Sequence, residues 1–164
     1  MKIPKTYHGI QVIIPNKTPK HKKDSIATAD ITKDGKPIIK IWKGHKNEVT
    51  PRVLTHEEGH IKLGHYKKEG PITRGEYFKQ EKQAERYSYK TMGGKGQIPS
   101  SRLGHIVSEI ISEGSKSKQE YIFSHWDNFR KYTLDRSSAY GFTKDEMKRG
   151  IDYFYEHSKR KLQR

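Results

Sequence analysis

The chain has 164 residues, enough for one compact domain or one domain with a helical appendage, and only 30% of them are hydrophobic against 32% charged. Its 34 Lys and Arg outnumber 19 Asp and Glu, for a formal charge of +15 and a pI near 9.8, which draws it to polyanions at low salt. There is no cysteine, so disulfides, thiol catalysis and Cys-ligated metal are excluded, and any metal site must use His and carboxylate.

Residues Met1 to Gly9 lack the apolar centre of a signal peptide, and no stretch has the length and hydropathy to span a bilayer; a cytoplasmic protein is expected. Ile10 to Pro15 reads as a short strand, and Asn16 to Lys23 as a polar, basic loop. Ser25 to Thr32 alternates in character, Asp34-Gly35 is a turn signal, and Pro37 to Lys43 returns through Ile38, Ile39, Ile41 and Trp42, which predicts a hairpin. Pro37 and the lysines at 36, 40 and 43 suit a protected edge on its second strand. Thr50-Pro51 marks a helix start and Gly64 its end, and Thr73 with Glu76 opens a second helix to about Met92. Gly93 to Pro99 is the clearest breaker. The chain therefore divides into a core over 1–98 and a helical part over 99–164, which can pack on the core as one domain. Helices are expected over about Ser101–Ser112, Ser117–Leu134 and Lys144–Lys161, with Thr143 and Glu146 as a capping box and a mobile loop between the first two.

The stretch with the most chemistry is His56-Glu57-Glu58-Gly59-His60. Two histidines four apart share one helix face, separated by about 6 Å of rise, so their imidazoles can converge on one cation at about 2.0–2.1 Å. Glu57 is one step round the helix, beside the metal without ligating it, where it can take a proton from a metal-held water. Val49, Val53, Leu54, Ile61 and Leu63 put apolar side chains on more than one face, as in a helix at a domain centre. Two histidines buried there need partners, and a metal supplies them. The plain alternative is a solvated helix with a chance motif.

A catalytic zinc takes three protein ligands and keeps one open position. The metzincin pattern would need histidine six residues after His60, but Tyr66 stands there; His65 reaches the site only if the chain turns back at Gly64. The second helix offers Glu81, with Ala84 one turn later to let two helices approach; Glu85 and Glu76 are the other carboxylates in reach. For the oxyanion donor that such sites usually add, His65, Tyr87, His105 and Tyr140 are candidates.

H-E-x-G-H followed after a short loop by a helix bearing E-x-x-A resembles the gluzincin metallopeptidases, most nearly the ImmA/IrrE type, small cytoplasmic enzymes that cut regulatory proteins. The similarity spans roughly residues 25–92, and the hairpin ahead of the metal helix fits that family's order of elements. The resemblance implies an α+β, zincin-like domain with an N-terminal antiparallel sheet, a metal-binding helix pair and a helical C-terminal part. It further implies Zn2+ held by His56, His60 and Glu81, with Glu57 as general base, and a protein or peptide substrate. The competing expectation is a basic nucleic-acid-binding protein with a structural or vestigial metal. It rests on the charge and on the helix from Lys144 to Arg164, with Lys148, Arg149, Lys159, Arg160, Lys161 and Arg164. A protease tethered to DNA combines the two. Oligomeric state is not legible in the sequence.

Overall fold

The computed structural model describes residues 1–22, 24–67, 71–112 and 116–162. The protein is α+β, with an N-terminal sheet followed by helices, as expected. It divides into two compact units: residues 1–71 with 83–95, and residues 72–82 with 96–164. The chain thus passes between the units three times, after Pro71, inside a helix after Lys82, and after Lys95, where the sequence suggested one boundary at 98.

In the first unit the strands are β1 (Thr6–Tyr7), β2 (Ile10–Ile13), β3 (Ala27–Ile31) and β4 (Pro37–Ile41), in the order β1-β2-β4-β3. The β3–β4 hairpin turns through Asp34-Gly35, where Gly35 takes φ 77° and Thr32 and Lys36 close the loop at 2.8 Å. The sheet is mixed rather than antiparallel, because β2 pairs parallel with β4, Val12 opposite Ile39. This corrects the expected edge: β4 is central and β3 is the outer strand. Pro37 is tolerated because it is the first residue of β4, so no ladder bond is asked of its nitrogen. Strand β1 was not anticipated; two residues carry no periodicity, and it forms because His8 (φ 46°) and Gly9 (φ 80°) both adopt the left-handed region that a two-residue hairpin needs.

Helix α1 (Pro51–Lys62) lies over this sheet. Thr50 caps it, its Oγ1 accepting from the Val53 N–H at 3.3 Å, and Pro51 takes the first turn, where a missing N–H costs nothing. Val49, Leu54 and Ile61 meet Ile10, Val12, Ala27, Ile39 and Ile41 in one core.

Helix α2 (Arg74–Thr91) is unbroken; Thr73 Oγ1 accepts from the Glu76 N–H at its start, and residues 83–91 belong to the first unit. The second unit holds α3 (Ser100–Ser112), α4 (Lys116–Ser124), α5 (Trp126–Asp135) and α6 (Lys144–Leu162). Its core joins Leu103, Ile106, Val107 and Ile110 of α3 to Met147 and Ile151 of α6, with Phe78, Tyr140 and Phe142. The expected single helix over 117–134 is two, because His125 leaves helical geometry (φ −120°, ψ 43°) while its ring takes the Tyr121 carbonyl. The break coincides with Trp126 stacking on Tyr155 at 4.8 Å. The capping box at α6 forms in both directions, Thr143 with Glu146 at 3.0 and 3.1 Å. Arg149 donates to the Ile98 carbonyl at 2.8 Å, so this cation of the basic helix serves the fold. Residues 113–115 of the loop expected to be mobile over 112–116, and the side chains of Lys159, Arg160, Lys161 and Arg164, lie outside the described residues.

Candidate metal centre

Helix geometry sets His56 and His60 on one face of α1, and their Nε2 atoms lie 3.1 Å apart with the rings edge to face. A tetrahedral cation with bonds of about 2.0–2.1 Å holds adjacent donors about 3.3 Å apart, so the two imidazoles already stand at chelate spacing. A carboxylate oxygen of Glu81 completes the group, all three ligand atoms falling within 4.8 Å of one another. From Gln83 on, α2 belongs to the first unit and packs on α1. The residues are small where the helices touch: a Cβ on Gly59 would meet the Ala84 Cα at 3.1 Å and the Tyr87 Cβ at 3.2 Å. The close approach foreseen for Ala84 therefore depends on Gly59 as well.

The other two carboxylates of α2 have different places. Glu76 sits in the first turn, where its N–H is bonded to Thr73. Glu85, only 3% exposed, lies behind His56: its Oε1 is 3.1 Å from His56 Nδ1 and 3.1 Å from Arg52 Nη2. Burial pushes the Glu85 carboxyl up, but His56 and Arg52 together outweigh it and hold the group at about 2. An acceptor-only carboxylate beside Nδ1 favours the Nδ1–H tautomer, which turns the Nε2 lone pair toward the cation position. Deeper between the helices Thr55 and Ser88 share a hydrogen bond of 2.7 Å.

Glu57 is 9% exposed, and its Oε2 accepts from the backbone N–H of Ala29 at 2.6 Å. Ala29 is on an edge strand, and its N–H points away from β4, so the alternate residues Ala27, Ala29 and Ile31 turn main-chain groups to the side where no described strand pairs. The neighbouring Glu58 faces elsewhere, with His8 Nδ1 at 2.9 Å and Tyr87 within its reach. Burial first, and then the Glu58 charge, raise both the Tyr7 and Tyr87 hydroxyls above their usual range.

Of the four candidate oxyanion donors, His65 alone is in contact with the group, and it meets His60 on Nδ1, at 2.9 Å. Tyr87 is engaged with Glu58 and Thr91. His105 is exposed beside Glu109, and Tyr140 packs edge-on against Phe78 in the core of the second unit. Sequence reasoning missed His8, Arg52, Ala29 and Gln83. A signal existed for His8 only: His8-Gly9 is a turn pair, and a buried Glu58 on α1 requires a basic or donor partner.

The chain matches no protein-family model, and neither a curated protein nor a solved structure is detectably similar to it.

Proposed function

We propose that this chain is a zinc-dependent endopeptidase acting on a protein substrate, with His56, His60 and Glu81 as ligands and Glu57 as general base. The observation that carries the reading is the convergence of two Nε2 atoms at 3.1 Å with the Glu81 carboxylate, beside a buried Glu57 anchored on the outer strand. Two imidazoles and one carboxylate are a donor set suited to zinc, leaving one position open. Zinc bound there supplies a Lewis acid that makes water acidic near neutral pH and polarises a peptide carbonyl.

The chain's own residues supply the rest. Ala29 holds Glu57 Oε2, which leaves Oε1 to take a proton from the attacking water and pass it to the departing amine. Among the described residues no strand pairs beyond β3, and an extended peptide can add there as a further strand through the outward main-chain groups that Glu57 and Asp30 do not already hold. No helix among the described residues is long and apolar enough to cross a membrane, and the substrate is read as a cytoplasmic, regulatory protein. The order H-E-x-G-H, loop, E-x-x-A, with its resemblance to ImmA/IrrE-type peptidases, supports the same reading. The test compares wild type with Glu57→Gln: equal zinc content and loss of cleavage products in host extract are expected. A wild type that retains no zinc after purification overturns the proposal.

A second reading is a nucleic-acid partner, and the charge distribution favours it. The first unit holds 18 Lys and Arg against 8 Asp and Glu, the second 16 against 11. Binding to DNA that falls steeply between 50 and 200 mM salt, on the order of a thousandfold, would mark a phosphate-tracking surface. Retention of that binding after removal of residues 115–164 would show that the C-terminal helix is not the tether.

A further inference from the structure

Helix α1 ends at Lys62, and Gly64 (φ 71°) folds the chain back into a short 3₁₀ turn over His65–Lys67. His65 is thereby set against His60, with the rings edge to face at 5.0 Å. Its Nδ1 is 2.9 Å from His60 Nδ1, and its Nε2 is 3.0 Å from Gln83 Oε1 on α2. A neutral imidazole carries one N–H and one lone pair, so this chain of three groups has two proton directions. In one, the Gln83 oxygen accepts from His65 Nε2–H, His65 Nδ1 accepts from His60 Nδ1–H, and His60 Nε2 keeps its lone pair. In the other, the amide nitrogen donates, both rings reverse, and a proton sits on His60 Nε2, where no cation can bind.

We infer that His65 is a positioning residue that holds His60 in the ligating tautomer, with the Gln83 oxygen setting the direction of the chain. The inference rests on the metal reading of the site. It gives the two ligands different supports: an anionic carboxylate behind His56, and a neutral histidine–amide relay behind His60. The relay orients a ligand without placing a further negative charge next to Glu85 and Glu81. Outer-sphere partners of this kind typically change metal affinity by about 10- to 100-fold.

The experiment measures zinc affinity of the full chain by competition with a chromophoric chelator, together with long-range proton–nitrogen spectra of the histidine rings. His65→Ala is expected to weaken zinc by about 10-fold or more, and His65→Asn, whose amide oxygen takes the place of Nδ1, to regain most of that. Gln83 is exposed, so Gln83→Leu tests the relay without burdening the fold; a smaller loss, about threefold, is expected. In the zinc-loaded wild type the His60 Nδ1–H resonance should lie downfield through its bond to His65 Nδ1, and it should move in His65→Ala and, by less, in Gln83→Leu. Zinc affinity unchanged in His65→Ala, or a His60 Nδ1–H resonance in the zinc-loaded protein indifferent to His65, overturns the inference. Should His65→Ala fail to fold, the Gln83→Leu affinity and the wild-type spectra decide. His56→Ala is the control: a wild type that binds zinc no better than this variant sinks the metal reading itself, whereas tight binding indifferent to His65 sinks only the relay.

Discussion

Two helix pairs in this protein touch closely by opposite means. In the second unit α3 and α6 meet through Leu103, Ile106, Val107, Met147 and Ile151, and glycines bring the backbones together. In the first unit the contact of α1 with residues 83–91 of α2 also closes on small residues, Gly59 and Ala84, but it surrounds them with Thr55, Ser88, Glu85, Arg52 and His56. Burying ionised groups is costly unless each is paired. Apolar packing would hold two helices as well, so the polar set is explained by what it presents: two ring nitrogens turned to one point. The contrast separates a contact built for stability from one built around a site.

The largest effect expected on that contrast is at Glu57. Glu57→Gln should retain zinc and lower peptide cleavage by roughly 10³-fold or more, measured on any substrate the wild type cuts. A variant that keeps its cleavage would leave the buried polar contact without a catalytic purpose.

Next is Glu85→Gln. The folded carboxyl is held at about 2 against an ordinary 4.5, so the unfolded state binds the proton more readily. The stabilisation is complete above about pH 4.5 and fades as the pH falls through 2, and it amounts to on the order of 3 kcal/mol. Denaturant titrations should show Glu85→Gln weaker than wild type at pH 7, the gap closing steadily below pH 4.5. A gap independent of pH would mean the residue acts by shape alone.

The apolar pair should respond to volume and not to pH. A Cβ on Gly150 would lie 3.1 Å from the Leu103 backbone and 3.0 Å from Val107 Cγ2. Gly150→Val should therefore cost about 1–3 kcal/mol in chemical unfolding, by overpacking, with zinc affinity unchanged. The smallest effect is at the start of α6, where Thr143→Ala removes the cap on the Glu146 N–H and should cost about 1 kcal/mol.

The share of this protein determined by sequence alone is local. Thr50-Pro51 starts α1 because a side-chain oxygen and a missing N–H both suit a first turn, whatever surrounds them. Asp34-Gly35 closes the hairpin because glycine reaches φ 77° freely, and the four-residue spacing alone puts His56 and His60 on one face. Tertiary structure decided the choices between chemically equal residues. Glu76, Glu81 and Glu85 are all glutamates on one helix, and only the Gly59–Ala84 contact sets Glu85 behind His56. The same holds for β4, central rather than at the edge because β2 pairs with it in parallel, and for the break at His125 beside Trp126. It holds too for His65, which the turn at Gly64 delivers to the back of His60. Each of these depends on partners more than a few residues away, and spacing along a chain carries no record of them.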